Sequence, residues 1–541
     1  MSKLLSEILR GVEALDGVGR AGPWSPGPGG DPLIEGLAYD SREVKPGFLF
    51  FALSGLHVDG SRFIPQAMAA GARAVVCSGE GPRRPIQGEE GGVLVRVADS
   101  RLAMSPIAAN FYGHPSRDLA VVGVTGTEGK STTVYLIYQL LRLAGLGAGF
   151  FSTVMSDTGG GEAPNPEHQT TPEATAVQRM LAAMRDASLG YAVVESSSHG
   201  LSQRLNRLGD VDFDVGVMMN VTREHLEFHG TWEQYRHDKA NLFRAIGRGV
   251  PKRSGSQETP RFGVVNEDDP SADYFRAATS FPVRSFSAAG AASADLRAEA
   301  VAVDPRGESF AIMQGGERYE ARIELPGAFN VGNALAALLT VSVLCGAEVG
   351  ELVPLLPRLR PVRGRMTAVD KGQSFEVIVD YAHTPSSFLA VFPSLRKRIE
   401  GRMICVFGSA GERDTEKRAR QGRIAADWFD IVILADEDPR GEEPMALLEE
   451  IASGCPELRR GERLHLIPDR KTAIRKAFSL AGAGDLVALL GKGHENSIIY
   501  AKGGVPYDEI GEAERALAEL GYAESRCDSA TELRSAQKDR G

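Results

Sequence analysis

Cysteine is scarce and unpaired in this chain of 541 residues: Cys77, Cys345, Cys405, Cys455 and Cys527 are odd in number and widely scattered. No disulfide framework and no zinc spacing can be built from them, which suits a reducing cytoplasm. Long apolar runs are also missing, since no stretch reaches the ~18 residues of a membrane span. The opening residues, MSKLLSEILRGVEALDG, lack the apolar core and small-residue cleavage site of a signal peptide. They read instead as a short amphipathic helix with Leu4, Leu5, Ile8, Leu9 and Val12 on one face. Positive charge is in deficit, with 61 Lys and Arg against 71 Asp and Glu and a formal charge of −10. Such a surface repels a phosphate backbone, which argues against nonspecific nucleic-acid binding but leaves room for a small anion held by a local cluster or helix N-terminus. No internal repeat is found. A cytoplasmic monomer with no nucleic-acid partner and no membrane span is expected.

What is present is ample core material: 43% apolar and 24% charged residues exclude wholesale disorder. At about 100–200 residues per domain the length predicts three or four folding units. From residue 119, apolar runs alternate with helical patterns: LAVVGVTG, YAVVES, FDVGVMMNVT and RFGVVN. A second alternation runs through SFEVIVDYA, RMICVFGSAG, FDIVILADED and DLVALLGKG. Both predict parallel sheets covered by helices, with ligand chemistry at the carboxyl ends of the strands. The fold class is therefore α/β in three domains. Residues 1–118 form a small α/β unit with a helix near Phe63–Ala72, 119–360 a central phosphate-loop domain, and 361–541 a doubly wound Rossmann-like domain, frayed after about Tyr522. A Gly- and Pro-rich stretch, Gly17–Pro32, separates the first helix from the rest of the small unit, and the polar run Lys252–Thr259 reads as a surface loop.

Residues 121–133, VVGVTGTEGKSTT, set Gly123, Gly126 and Gly129 after a buried strand and Lys130, Ser131 and Thr132 at a helix start. Glycines let backbone N–H groups, with Thr127 among them, wrap a phosphate chain; the lysine reaches the terminal phosphates and a hydroxyl can ligate magnesium. Strict Walker spacing wants glycine where Val124 stands, so the loop is a variant. Glu195 ends a strand beside this loop, where a carboxylate can hold magnesium. His199 comes four residues later as either a packed histidine or a site residue. His225 comes after the strand FDVGVMMNVT at the same crevice edge. Lys239, on chemistry alone, reads as a solvated helix lysine, since a cation beside magnesium is repelled. Asp380 and His383 end the first strand of the last domain, and Ser41 and Arg42 offer a hydroxyl and a cation near the front. Lys417 and Arg418 read as helix surface.

The variant loop, TGTxGK[ST]T, resembles that of the Mur ligases, which build the peptide stem of peptidoglycan. The resemblance runs from about Asp40 to Asp508 through ESSSHGL at 195–201, NVTREHLEFHG at 220–230, DKANLF at 238–243, GAFNVGNALAA at 327–337, VDYAHTP at 379–385, FGSAGERD at 407–414 and GKGHE at 491–495. With YDSR at 39–42 and TTPE at 170–173, it is most similar to the branch that makes the tripeptide.

The resemblance implies an ATP-dependent ligase working through an acyl phosphate. A diamino acid would be added to UDP-N-acetylmuramoyl-L-alanyl-D-glutamate. It implies that Gly126, Thr127, Gly129, Lys130, Ser131, Thr132, Asn333, Arg365, Asp380 and His383 bind ATP, and that Ser131, Glu195, His225 and a carbamylated Lys239 hold Mg2+. Ser41, Arg42, Thr170, Thr171 and Ser197 would meet the UDP-linked substrate. The run SQRLNRL departs from the family's Q-x-R spacing, which leaves Arg204 and Arg207 as rivals for its anionic group. Three domains each bearing part of the site imply closure before the acyl phosphate meets water.

For the amino acid the candidates are Asp438, Arg440, Gly491 and Glu495. Family members using meso-diaminopimelate carry DNPR where EDPR stands here. Arg440 still suits a carboxylate, while Asp438 puts a negative charge in place of a neutral amide and tilts the balance slightly toward lysine or ornithine. A folylpolyglutamate-synthetase-like ligase and a nucleotide switch that hydrolyses ATP without ligation are the alternatives.

Overall fold

The computed structural model describes all residues except 1, 16–20, 27–29, 54–58, 79–91, 166, 168, 223, 225, 255–256, 305–306 and 523–541. The predicted frayed tail, Cys527 and His225 thus lie outside the described residues. The chain forms two compact units. One comprises Met1–Glu299, Ala311–Ala321 and Gly332–Pro357; the other comprises Ala300–Phe310, Arg322–Val331 and Arg358–Gly541.

The first unit contains a small N-terminal sheet in the order Ala21–Pro23, Glu13–Leu15, Val93–Val97, Ala74–Ser78, Phe48–Ala52, Gly36–Ala38. Its last four strands run parallel. The expected first helix is shorter than the apolar periodicity suggests: only Leu5–Ile8 is helical, between strands Lys3–Leu4 and Glu13–Leu15. Lys3 and Leu4 pair with Ile34 and Leu33, and Gly11 at φ 77° turns the chain. Leu5, Ile8, Leu9 and Val12 are still buried together, whereas Leu4 is exposed. The Gly- and Pro-rich stretch returns as a strand paired to Glu13–Leu15 rather than acting as a spacer.

The second sheet of this unit carries the phosphate loop. Ala148–Phe151, Tyr191–Glu195, Ala120–Thr125, Val215–Met218, Phe262–Asn266 and Val283–Ser287 lie side by side and parallel. Helices cover these strands, so valine-rich runs replace in–out alternation. Gly123 is needed for that covering: a Cβ there would stand 2.4 Å from the Leu242 side chain on the helix Trp232–Ala245. The polar run Lys252–Thr259 is not a plain surface loop. Lys252 is buried and donates to Asp214 Oδ2 at 2.6 Å, while Asp214 accepts from Val121 N at 2.8 Å, so the pair pins the strands' lower ends.

In the second unit the strand order is Thr367–Ala368, Glu376–Asp380, Leu486–Leu490, Met403–Phe407, Ile431–Leu434, Leu464–Leu466. All but the first pair are parallel. Leu486–Leu490, the last strand of this sheet along the chain, sits between Glu376–Asp380 and Met403–Phe407, which makes a switch point where loops part at the carboxyl edge. Phe388, Phe392, Phe407 and Phe429 pack one face of this sheet, and Phe375, Phe478, Ile510 and Leu517 the other. Arg418, expected on a helix surface, is fully buried and bonds Glu442 with both terminal nitrogens and Glu450 with one. Among the described residues no single helix is long and apolar enough to cross a membrane.

Candidate functional site

The phosphate loop begins where Ala120–Thr125 stops. Gly126 has φ 156° and Gly129, which caps the helix Lys130–Leu143, has φ 82°. A side chain at Gly129 would lie 2.6 Å from Asn333 Oδ1, so only glycine lets the loop pass Asn333. Asn220, at the end of the neighbouring strand, holds the loop from below: its Oδ1 accepts from Thr127 N at 3.1 Å and Glu128 N at 2.8 Å, and its Nδ2 donates to Glu128 O. Thr127 Oγ1 meets Tyr235 OH at 3.1 Å. Lys130 Nζ folds back onto Thr127 O at 2.8 Å, a bond it can exchange for a phosphate oxygen. Asn333 Oδ1 accepts from Thr133 Oγ1, which places it against the helix base; Thr132 is half-buried on the same turn.

Glu195 and Lys239 approach this loop on either side. Glu195 is buried and accepts from Ser131 Oγ at 3.0 Å, Thr153 Oγ1 at 3.0 Å and Thr153 N at 2.8 Å. Lys239 is 1% exposed, donates to Gly126 O at 2.6 Å and lies 4.4 Å over the Tyr235 ring. Burial, then the positive charge of Lys130, holds its ammonium far below the usual lysine range. A neutral amine at this position can add carbon dioxide, so the expected carbamate fits chemically. Among the described residues no group of three His, Cys, Asp or Glu forms a metal cage. Magnesium bound with a nucleotide needs fewer protein ligands, because phosphates and water fill its oxygen shell. One carboxylate, Glu195, beside one hydroxyl, Ser131, is a donor set of that kind.

The loops next to Glu195 form one hydrogen-bonded block. Thr171 Oγ1 donates to Glu195 O and accepts from Ser197 N, both at 3.0 Å, and Ser197 Oγ caps the short helix Ser198–Leu201. Arg207 donates to Thr171 O at 2.9 Å and to Glu173 Oε1 at 2.8 Å, and Arg101 from the N-terminal sheet side joins the same carboxylate at 3.0 Å. Arg204 is exposed and lies 5.1 Å over the Phe228 ring. His199 packs its ring 4.2 Å from Phe228. Thr170 is half-exposed beside this block. Farther along the N-terminal sheet, Ser41 Oγ donates to Gln66, and Arg42 is paired to Asp40 but open to solvent.

In the second unit Asp380 is a buried hinge of hydrogen bonds, accepting from Ala382 N and Met366 N; burial raises its carboxyl above the usual value, against the pull of Arg365. Arg365 lies 4.5 Å over Tyr381, and His383 Nδ1 is 2.8 Å from Tyr381 O. Lys492 Nζ, itself buried, donates to Asp438 Oδ1 at 2.9 Å and Glu495 Oε2 at 2.5 Å. Asp438 also accepts from Ile499 N at 2.8 Å, so the negative charge expected from the sequence is tied up in hydrogen bonds. Sequence reasoning missed Glu437. Its carboxylate is buried, raised in pKa by that burial, and its Oε2 has no hydrogen-bond partner; a side chain at Gly491 would come within 2.7 Å of it. The signal was its place next to Asp438 at the strand end. Arg440 holds a left-handed φ of 55° and lines a cavity of about 410 Å³ with Glu442, Tyr500 and Lys502.

Comparison with known proteins gives the same picture. Residues 33–112 match the Mur ligase family catalytic domain, 124–341 the Mur ligase middle domain and 364–493 the Mur ligase glutamate ligase domain. The UDP-N-acetylmuramyl-tripeptide synthetase of Treponema denticola is 48% identical, over 95% of this chain and 98% of its own. The UDP-N-acetylmuramoyl-L-alanyl-D-glutamate–2,6-diaminopimelate ligase of Syntrophomonas wolfei is 38% identical, over 86% of this chain and 91% of its own. A solved structure of a ligase of that second name aligns with a TM-score of 0.59 at 28% identity, covering 91% of this chain and 96% of its own. The ADP complex of the MurF ligase from Thermotoga maritima, at 20% identity and a TM-score of 0.61 over 90% and 97% of the two chains, shares the fold. With its phosphate loop, buried lysine and strand-end carboxylate in one unit and its doubly wound sheet in the other, the chain belongs to the Mur ligase family.

Proposed function

We propose that this chain is an ATP-dependent ligase that joins a diamino acid to the D-glutamate γ-carboxylate of UDP-N-acetylmuramoyl-L-alanyl-D-glutamate in peptidoglycan synthesis. The observation that carries this reading is the arrangement of Lys239 against Gly126 O and of Glu195 against Ser131, on either side of a phosphate loop. A carboxylate is a poor acyl donor because its oxygen leaves badly. The γ-phosphoryl group of ATP therefore moves onto it, and the amine then attacks the acyl carbon and expels phosphate. Lys130 exchanges Thr127 O for the terminal phosphate and offsets charge that builds there. Magnesium, held by Ser131, Glu195, His225 and carbamylated Lys239, would supply further neutralisation of the phosphate oxygens. Asn333, Arg365, Asp380 and His383 serve the nucleotide.

Ser41 and Arg42 take the uridine diphosphate, and Thr170, Thr171 and Ser197 the dipeptide. Of the two rival arginines we assign the substrate's anionic group to Arg204, because Arg207 is already committed to Thr171 and Glu173. Asp438 and Glu495 both accept from Lys492, and Glu437 beside them, in the field of Lys417 and Lys492, keeps one carboxylate oxygen without a hydrogen-bond partner; that oxygen favours an amine of a diamino acid, with Arg440 left for its carboxylate. We retain 1–118, 119–360 and 361–541 as the working domains of a cytoplasmic monomer. Phosphate release measured with and without each substrate tests the reading. A ligase releases phosphate only when muramoyl dipeptide and amine are both present; release with ATP alone would indicate a switch.

A further inference from the structure

His229 has no role in the chemistry proposed for the site, yet it sits at the centre of the site's supporting structure. It is 8% exposed; Nδ1 lies 2.7 Å from Asp238 Oδ2 and Nε2 lies 3.0 Å from Ser198 Oγ. A carboxylate only accepts, so Nδ1 donates to Asp238, and Nε2 pairs with the Ser198 hydroxyl. Asp238 Oδ1 accepts from Gln234 Nε2 at 2.9 Å, which fixes the carboxylate in turn. The order serine, histidine, aspartate is that of a nucleophilic relay, but Ser198 is 2% exposed and its hydroxyl is committed to the imidazole.

The three partners belong to the segments that carry the candidate metal ligands. Ser198 starts the helix three residues after Glu195. His229 ends the short helix Leu226–His229, which begins directly after residue 225. Asp238 precedes Lys239 on Trp232–Ala245, and adjacent residues on a helix point about 100° apart. One helix can therefore face His229 with its aspartate and the phosphate loop with its lysine. The His229 ring also lies 5.2 Å from that of Tyr235, whose hydroxyl meets Thr127 of the loop.

We propose that His229 is a positioning residue, which through Ser198 and Asp238 fixes the spacing of the Glu195 and Lys239 segments around the metal. The inference rests on the metal site proposed for those ligands. Its test is Mn2+ binding, followed by electron paramagnetic resonance in the presence of ADP, on full-length wild type, Lys239→Ala, His229→Ala, His229→Asn and Asp238→Asn, each checked for folding by circular dichroism. Loss of a group bonded directly to a metal ligand weakens metal binding about tenfold or more, and His229, one residue further out, should cost about threefold or more. His229→Ala is expected to show that loss, with kcat falling and the KM for dipeptide within about twofold. His229→Asn, which keeps a donor for Asp238, should recover part of it. Weakened binding in Lys239→Ala with wild-type affinity in His229→Ala would overturn the inference alone. Unchanged affinity in Lys239→Ala as well would remove the metal-site reading and this inference with it. If His229→Ala does not fold, Ser198→Ala and Asp238→Asn decide by the same criterion: wild-type Mn2+ affinity in both overturns it.

Discussion

Two lysines stand at the phosphate loop, and their environments differ. Lys130 is half-exposed and, among the described residues, bonds its own loop, from which it can reach a phosphate; Lys239 is sealed in, and burial holds its ammonium well below the usual lysine range. Lys130→Ala should therefore abolish ligation with the melting temperature nearly unchanged, because no core is emptied; near-normal turnover in that variant would contradict the loop's role. Lys239→Ala should also be inactive, but a small carboxylate such as acetate should restore part of the activity by standing in for the carbamate. Full activity without rescue would return Lys239 to a packing role. Asp436 offers a test of electrostatics that needs no substrate. Burial raises its carboxyl from 3.8 to about 6 in the folded chain. The folded state then binds more protons than the unfolded state between those values, so this group's contribution to stability falls as pH rises through that window. Asp436→Asn should gain melting temperature relative to wild type from pH 4 to pH 7, and a constant difference across that range would refute the shift. Sequence pattern exposes Lys130 through its glycines. It cannot expose the burial of Lys239 or Arg418, since a charged residue on a polar helix pattern reads as solvated unless its partners, 113 residues away for Gly126 and 24 for Glu442, are known to be near.

The strands were readable because burial on both faces writes itself as valine and isoleucine runs, and the turn at each carboxyl end carries glycine or polar residues. VVGVT and AVVE are strands ending at the phosphate loop and at Glu195, and VIVD is a strand of the second unit ending at Asp380. Short pieces stabilised by pairing rather than by their own periodicity were not readable: the strand Lys3–Leu4 interrupts what looks like a helix, and Arg253–Ser254 pairs with Gln257–Glu258 in what looks like a loop. The packing of single elements can be tested at two positions. Gly129→Ala forces a left-handed Cβ into Asn333, and should cost about 1–3 kcal/mol and weaken ATP binding; unchanged melting and affinity would show that the loop tolerates a side chain. Arg418→Leu frees two carboxylates that reach solvent, with side-chain exposures of 31% and 53%. Its cost should be about 1–3 kcal/mol, below the ~3–5 kcal/mol of stranding a fully buried charge. Urea unfolding measures it.

At the scale of the whole molecule the chemistry is set by which acid and which amine are brought to the nucleotide. On the proposed reading, the amine preference depends on the carboxylates of the second unit. Asp438→Asn removes one carboxylate and leaves Lys492 with only Glu495, so kcat/KM should shift toward diaminopimelate relative to lysine and ornithine. Sequence reasoning reached this expectation from the extra negative charge of Asp438 alone, whereas in the fold the effect passes through Lys492, a contact 54 residues apart that no local pattern discloses. The central claim is that the acid is activated by phosphoryl transfer. It is tested most directly by supplying muramoyl dipeptide labelled with 18O in the D-glutamate γ-carboxylate, with ATP and a diamino acid, and weighing both products. One 18O should appear in the released phosphate for each tripeptide formed; phosphate free of label, or released without any tripeptide, would contradict the acyl-phosphate mechanism.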